Sequence, residues 1–345
     1  MVRVLLIFWL FFPFIGCAGH PPAPPRIANE KEFQVPANLA DKFAVRDEGT
    51  AGLSGRKVDP IPVAPREPVP PEGEKSGKKG KKNTKANKKD KMNANPAAVT
   101  VADRWTMPPF FKAGERSVFD ITYFGATAGQ LELDVLPEKT VADRPTYHFR
   151  GIASSTSIFS LFYRVNDVAE SFMDTSGLFS HKFSLKLDES KQTRDVLELY
   201  DQTKRKAYYW SKLLTAAHGQ QNDQSEIDLV PFTQDGLSSF FYVRTLPLEI
   251  GKIYEFPVVN NGKLRTVRVT AVRKEDITTK AGEFMAIVVK PEVVLDGVLQ
   301  QNSGESFIWI SDDANRQILK IDAKIKVGSV IAYLRERSYG ASASP

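Results

Sequence analysis

The 345-residue sequence has a single cysteine, Cys17. A disulfide framework within the chain and a cysteine-based zinc site are both excluded. Histidine is nearly as scarce, with four residues. His148, His181 and His218 stand far apart, with no metal-ligand spacing between any two, so neither a metal nor a cofactor is expected. No apolar run reaches the ~20 residues that cross a bilayer as a helix, which excludes a polytopic helical membrane protein. The G-x-S-x-G nucleophile turn and the G-x₄-G-K-[ST] phosphate loop are both missing. Charge of one sign is missing from the folded region as well. The net charge is +6, and residues 71–91 account for it with nine lysines against three acids. A nucleic-acid-binding domain carries its positive charge on its folded surface, so no nucleic-acid partner is expected.

What is present begins with an export signal. Arg3 precedes an apolar run over residues 4–15, too short to span a membrane and suited to a signal peptide over residues 1–16. Phe14-Ile15-Gly16-Cys17 resembles a bacterial lipobox, with Phe14 where leucine is most common. The resemblance implies cleavage before Cys17 and lipidation of that residue. A multiply acylated cysteine anchors stably, whereas one acyl chain binds marginally. Ala18, where an aspartate would retain the protein elsewhere, implies sorting to the outer membrane, with the chain facing the periplasm. Residues 17–104 read as a disordered tether. Proline-rich blocks at 20–25 and 59–74 favour extended polyproline II geometry, and the lysine tract 75–91 lacks apolar residues to bury. A flexible coil of this length reaches ~50 Å. The tract is a solvated spacer or a contact to an anionic polymer or lipid.

From Trp105 the composition changes. Short runs of period-two alternation follow one another to about residue 340, as in Phe179-Ser180-His181-Lys182-Phe183-Ser184-Leu185-Lys186-Leu187. Turn chemistry separates them, with Asn260-Asn261-Gly262 a strong hairpin signal. One stretch departs from this. Asp235 is placed to cap a short helix around 235–246, stopped by Pro247. The expected fold is all-β, mostly antiparallel: a barrel, half-barrel or sandwich of about a dozen strands with one helix. Residues 341–345 form a tail.

Several segments of this region resemble the bacterial domain of unknown function 3108. They are Gly114-Glu115 with the Phe119 to Gly129 run, residues 231–248, residues 281–291, and Trp309-Ile310-Ser311-Asp312-Asp313 with Arg316. The resemblance covers about residues 114–335. It implies an exported or envelope protein, and it carries no catalytic residue.

Two functional classes remain. Phe159, Phe162, Tyr163, Phe179 and Phe183 are dense enough to serve as packing, or as the apolar lip of a cavity for a lipid-like ligand. Residues 154–165 are the expected lip, held beside Asp167 and Glu170, which are expected to face water. This class is a binding or carrier module for an apolar ligand, or for an envelope protein docked along an edge strand. The other class is an envelope hydrolase. Glu170 and Asp174 share a strand face, with Asp167 nearby, and glycosidases use paired carboxylates. Asp312-Asp313 fits a turn, and Ser238-Ser239 fits a helix start. The first class is preferred, with no enzymatic activity expected.

Overall fold

Alternation gives each strand one face to bury, and an antiparallel sheet that rolls over its buried face makes an interior. The computed structural model describes residues 33–47, 111–295, 298–299, 304–325 and 328–340. Two short elements come first: α1 (Ala37–Lys42) and β1 (Arg46–Asp47). The sheet strands follow as β2 (Glu115–Tyr123), β3 (Ala126–Val141) and β4 (Arg144–Ser155), then the helical turn α2 (Ser157–Ser160). Next come β5 (Asn166–Asp174), β6 (Ser180–Asp188), β7 (Gln192–Asp201), β8 (Lys206–Thr215) and β9 (Gly219–Asp228), then α3 (Ser238–Arg244). The last are β10 (Ile253–Asn260), β11 (Lys263–Thr279), β12 (Gly282–Leu295), β13 (Val298–Leu299), β14 (Phe307–Ser311), β15 (Ile318–Lys324) and β16 (Ser329–Tyr339).

The sheet is a single antiparallel array in the order β10-β11-β12-β14-β15-β16-β2-β3-β4-β5-β6-β7-β8-β9, with β1 on β3 and β13 on β12 as side branches. The last strand pairs with β2, so the chain closes on itself through β16 and β2. Inner-face residues from β2 round to β8, and from β10 to β12, join α3 in one apolar core. That requires the sheet to curl around the helix. Its edges, β9 and β10, are not paired with each other. Instead the β10–β11 hairpin tip seats on β8 and β9. A Cβ at Gly262, which has φ +66°, would lie 2.8 Å from the Tyr209 ring and 2.9 Å from Ser225 Oγ. Glycine is required there on both counts.

The sequence reading missed β9. Its run Gln220-Gln221-Asn222-Asp223-Gln224-Ser225 has no apolar alternation, and it stands as an exposed edge. Backbone pairing with β8 alone defines it, and a charged polar edge resists further pairing.

A second correction concerns the stretch read as a disordered tether over 17–104. Residues 33–47 are a strap docked on the outside of the sheet. Phe33, Leu39 and Phe43 pack against Val141, Phe172, Leu197, Leu199 and Trp210. The physical reason lies in the sheet. Those outward residues break the apolar-in, polar-out alternation and need a cover. Lys42 pairs with Asp201 at 2.8 Å, and Lys182 Nζ donates to the Phe43 carbonyl at 3.3 Å. The remainder of the stretch, with the lysine tract 75–91 and Cys17, lies outside the described residues.

Candidate functional site

One end of the curled sheet is plugged by α3. Asp235 sits wholly buried ahead of the helix. Its Oδ1 accepts from the Leu237 and Ser238 amides at 2.8 Å, and its Oδ2 from Ser171 and Ser180 hydroxyls at 2.6 Å. These bonds stitch the helix start to β5 and β6. Burial still pushes the Asp235 carboxyl above its ordinary pKa, against those bonds. At the helix end, Arg244 is buried. Its Nη1 meets Glu115 Oε1 at 2.6 Å, and its Nε and Nη2 donate to the carbonyls of Arg316 and Asn315 at 2.8 and 2.9 Å. Phe111 and Phe241 cover the guanidinium, with centroids at 5.1 and 5.6 Å.

The turn that receives Arg244 is built by Asp313. Its Oδ1 accepts from Ser311 Oγ and from the amides of Asn315 and Arg316 at 2.8 to 3.0 Å. The acidic pair at 312–313 is therefore a turn, as its spacing suggests. Three separate segments of distinctive sequence (Gly114-Glu115, residues 231–248 and residues 309–316) thus converge on one buried guanidinium and its helix. They build the plug.

Above the plug lies a cavity of about 150 Å³, the size of an engineered apolar cavity that stays dry and binds benzene. Its walls are mostly aliphatic and aromatic: Leu131, Leu133, Phe183, Leu185, Leu187 and Val196 from the strands, with Leu237 and Phe240 as floor. Two carboxyls stand in this wall, Asp167 and Glu198. Burial raises Glu198 to about 8, even though the Tyr200 hydroxyl and the Gly262 amide donate to it. Burial, then the neighbouring Glu189 charge, pushes Asp167 well above the ordinary carboxylate range. The Asp188 amide donates to Asp167 Oδ1 at 3.0 Å, and Oδ2 has no partner. Burial thus favours the protonated form of both wall carboxyls. The expectation that Asp167 faces water is corrected: it is 3 % exposed. Odd positions of β5 turn inward, and register sets Asp167 beside Ala153 and Leu187.

The other end, beyond Ala153 and Asp167, carries α2. Thr156 Oγ1 caps α2 by accepting from the Phe159 amide at 3.2 Å. Phe159 packs inward with Ala153, Tyr163, Val165 and Leu131. The Tyr163 hydroxyl donates to Glu189 at 2.6 Å. Phe162 is 60 % exposed, and Phe183 lies in the cavity wall. Of the predicted lip residues only Phe183 lines the cavity; Phe159 and Tyr163 pack with its wall residues Ala153 and Leu131 at the α2 end, and Phe162 stands exposed there. Phe179 does not join them. A bulge in β6, with Met173 opposite Ser180 and Phe172 opposite Lys182, breaks the alternation that the sequence suggests. Ser180 and Phe183 both face inward, while Phe179 packs at the plugged end near Phe232 and Arg144.

The carboxylates of the hydrolase reading do not converge. Glu170 lies on the outer face beside His148 at 3.4 Å, and His148 stacks on Phe172. Asp174 is held by Arg144, His181 at 3.1 Å and the amides of Ser176 and Gly177. Burial alone would raise its pKa. The bonds from His181 and Arg144 outweigh burial and hold Asp174 well below the usual range. Burial also lowers the pKa of His181. Within the cavity, Asp167 and Glu198 are separated by four residues along the strands, roughly 13 Å. Glycosidase pairs stand ~5–9.5 Å apart.

Residues 118–335 match the family of proteins of unknown function DUF3108, and the chain belongs to that family. It names no activity. No curated protein matches the chain. Among solved structures, the chain is similar to a β-barrel-like protein of domain of unknown function DUF1849 from Brucella abortus. The identity is 12 %, the match covers 64 % of this chain and 95 % of that one, and the TM-score is 0.39. It is also similar to a protein with a YmcC-like fold from Bacteroides fragilis, at 10 % identity, 68 % and 99 % coverage and a TM-score of 0.30.

Proposed function

We propose that the chain is an outer-membrane lipoprotein, anchored through Cys17 and facing the periplasm, whose curled sheet binds a single hydrocarbon chain as a carrier or envelope-maintenance module. The cavity carries this reading. Its wall is mostly apolar, burial favours the protonated form of both its carboxyls, and the aromatic pair Phe159 and Tyr163 packs against its wall residues Ala153 and Leu131. A void of this size takes in five or six carbons of an acyl chain, with the rest leaving past α2. Hydrolysis is disfavoured because the carboxylates of that reading are tied up elsewhere, Glu170 beside His148 and Asp174 with Arg144 and His181.

The lipobox-like Phe14 to Cys17 run and the short apolar segment before it support the anchor. Replacing Cys17 by alanine should leave the protein unprocessed or move it into the soluble fraction. A variant that still fractionates with the outer membrane would sink the anchor. For the cavity, the test is titration of a fluorescent fatty acid into wild type and Ala169→Leu, which adds three carbons to the wall. Loss of binding with an unchanged melting temperature is expected. Undiminished binding by the filled variant would remove the cavity from the account.

A further inference from the structure

Scattered exposed apolar side chains need no explanation, but a contiguous set does. Ile158 (74 % exposed), Leu161 (56 %) and Phe162 (60 %) occupy positions i, i+3 and i+4 of the α2 turn. Side chains at that spacing share a face. The same turn packs a half-buried Phe159 against Ala153, Tyr163 and Val165, so the outward apolar face is presented by a packed element rather than by a loose loop. Phe124, 72 % exposed, stands on the neighbouring β2–β3 turn. The α2 connection is tied to β3 four residues beyond Phe124: the Thr156 amide donates to the Ala128 carbonyl at 2.9 Å. Register puts both at the cavity end of the sheet, since Gly129 pairs with Ser155.

The chain ahead of the strap bears on what covers this face. Fifteen residues, or sixteen Cα–Cα steps, separate Cys17 from Phe33. Fully extended they span at most ~55 Å, and as a relaxed coil ~20–25 Å. Phe33 lies under Lys212, with Nζ 5.4 Å from the ring centroid. Lys212 is three residues short of the mouth end of β8 at Thr215, ~10 Å. An anchor at Cys17 therefore keeps the mouth within a short leash of the bilayer.

We infer that the outward face of α2, with Phe124 beside it, is a membrane-contact surface that seats the cavity mouth at the headgroup–acyl boundary of the bilayer holding the anchor. An acyl chain then passes between leaflet and cavity without crossing water. This rests on the anchoring and the apolar cavity proposed above. Aromatic and aliphatic side chains on a short helical face are suited to that depth.

The experiment uses the full-length processed protein in vesicles of phosphatidylethanolamine and phosphatidylglycerol. Phe162→Cys, Phe124→Cys and, as a remote control, Ile253→Cys carry a thiol-reactive, polarity-sensitive fluorophore. Cys17 is the only native cysteine, and lipidation blocks it. Wild type that takes up label therefore reports a failed anchor, and the rim is then read on a Cys17→Ser background by flotation with the same vesicles. Labels at 124 and 162 should shift to shorter wavelength and be quenched by brominated acyl chains, whereas the label at 253 should do neither. Labels at 124 and 162 that match the 253 control overturn the inference. Shielding at those sites without quenching by bromolipid overturns it too, and assigns the face to a protein or to a second copy of the chain.

Discussion

Replacing Glu198 by glutamine tests whether the cavity wall is uncharged. The folded state holds the Glu198 proton up to about pH 8, against an ordinary value of 4.5. Between those limits the unfolded chain has lost a proton that the folded chain keeps. Unfolding therefore releases a proton, and stability falls as pH rises, by ~1.4 kcal/mol per pH unit. From pH 5 to pH 8 the loss is on the order of 4 kcal/mol, and it levels off above pH 8. Glutamine keeps an oxygen for the Tyr200 hydroxyl and the Gly262 amide, and it has no proton to lose. The variant should match wild type near pH 5 to within ~1 kcal/mol and exceed it progressively toward pH 8. A domain of this size shifts by ~2–4 °C per kcal/mol, so the melting temperatures should part by roughly 10 °C at pH 8. Urea unfolding and thermal melts followed by tryptophan fluorescence at intervals from pH 5 to 8.5 measure the two differences. Asp167 is pushed the same way by burial and is common to both proteins, whereas Asp235, whose charge helps to raise Glu198, is read from the pH dependence of the variant itself. Parallel stability curves would mean that Glu198 is ionised in the fold, and a charged wall would exclude a hydrocarbon ligand.

Phe162→Asp should leave the melting temperature within a few degrees, since the side chain is mostly exposed, while fatty-acid binding falls away; a large loss of stability would make Phe162 core. Arg244→Met should cost ~3–5 kcal/mol by leaving Glu115 buried without its cation, and adding Glu115→Gln should recover part of it; an unchanged urea midpoint would show that the plug does not need the pair. Phe43→Ala, which empties the centre of the strap, should cost ~3–5 kcal/mol and open residues 33–47 to protease; continued protection would mean that the backbone pairing of β1 suffices.

The strands were legible wherever one face is buried against the core. Phe183 to Leu187 alternates because β6 does beyond its bulge, and the Asn260-Asn261-Gly262 turn falls where the hairpin turns. The helix was legible from Asp235 and Pro247, within two or three residues of Ser238–Arg244. What failed to show had no periodic signal of its own. The polar edge strand β9 is defined by its partner's backbone. The strap rests on three apolar side chains separated by polar ones. It becomes visible only once Phe172, Leu197, Leu199 and Trp210 are known to share an outer face. The bulge that turns Phe179 away from the mouth is a single extra residue, and alternation alone gives no place for it.

The carboxyls of the cavity were illegible for a different reason. A sequence shows that Asp167 and Glu198 are acids, and an acid on a strand reads as solvent-facing by default. Their inward orientation follows from parity. Asp167 shares it with Ala169 and Ser171, and Glu198 with Val196 and Tyr200. Neither triplet is apolar enough to mark a core face. The same weakness of pattern is what allows a cavity. Inward positions 151, 153, 169 and 171 are Gly, Ala, Ala and Ser, too small to fill the space left above Leu237 and Phe240. Large residues at those sites would have produced clear alternation and a packed core. Small ones blur the pattern and leave a cavity, where burial favours the protonated form of Glu198 and Asp167.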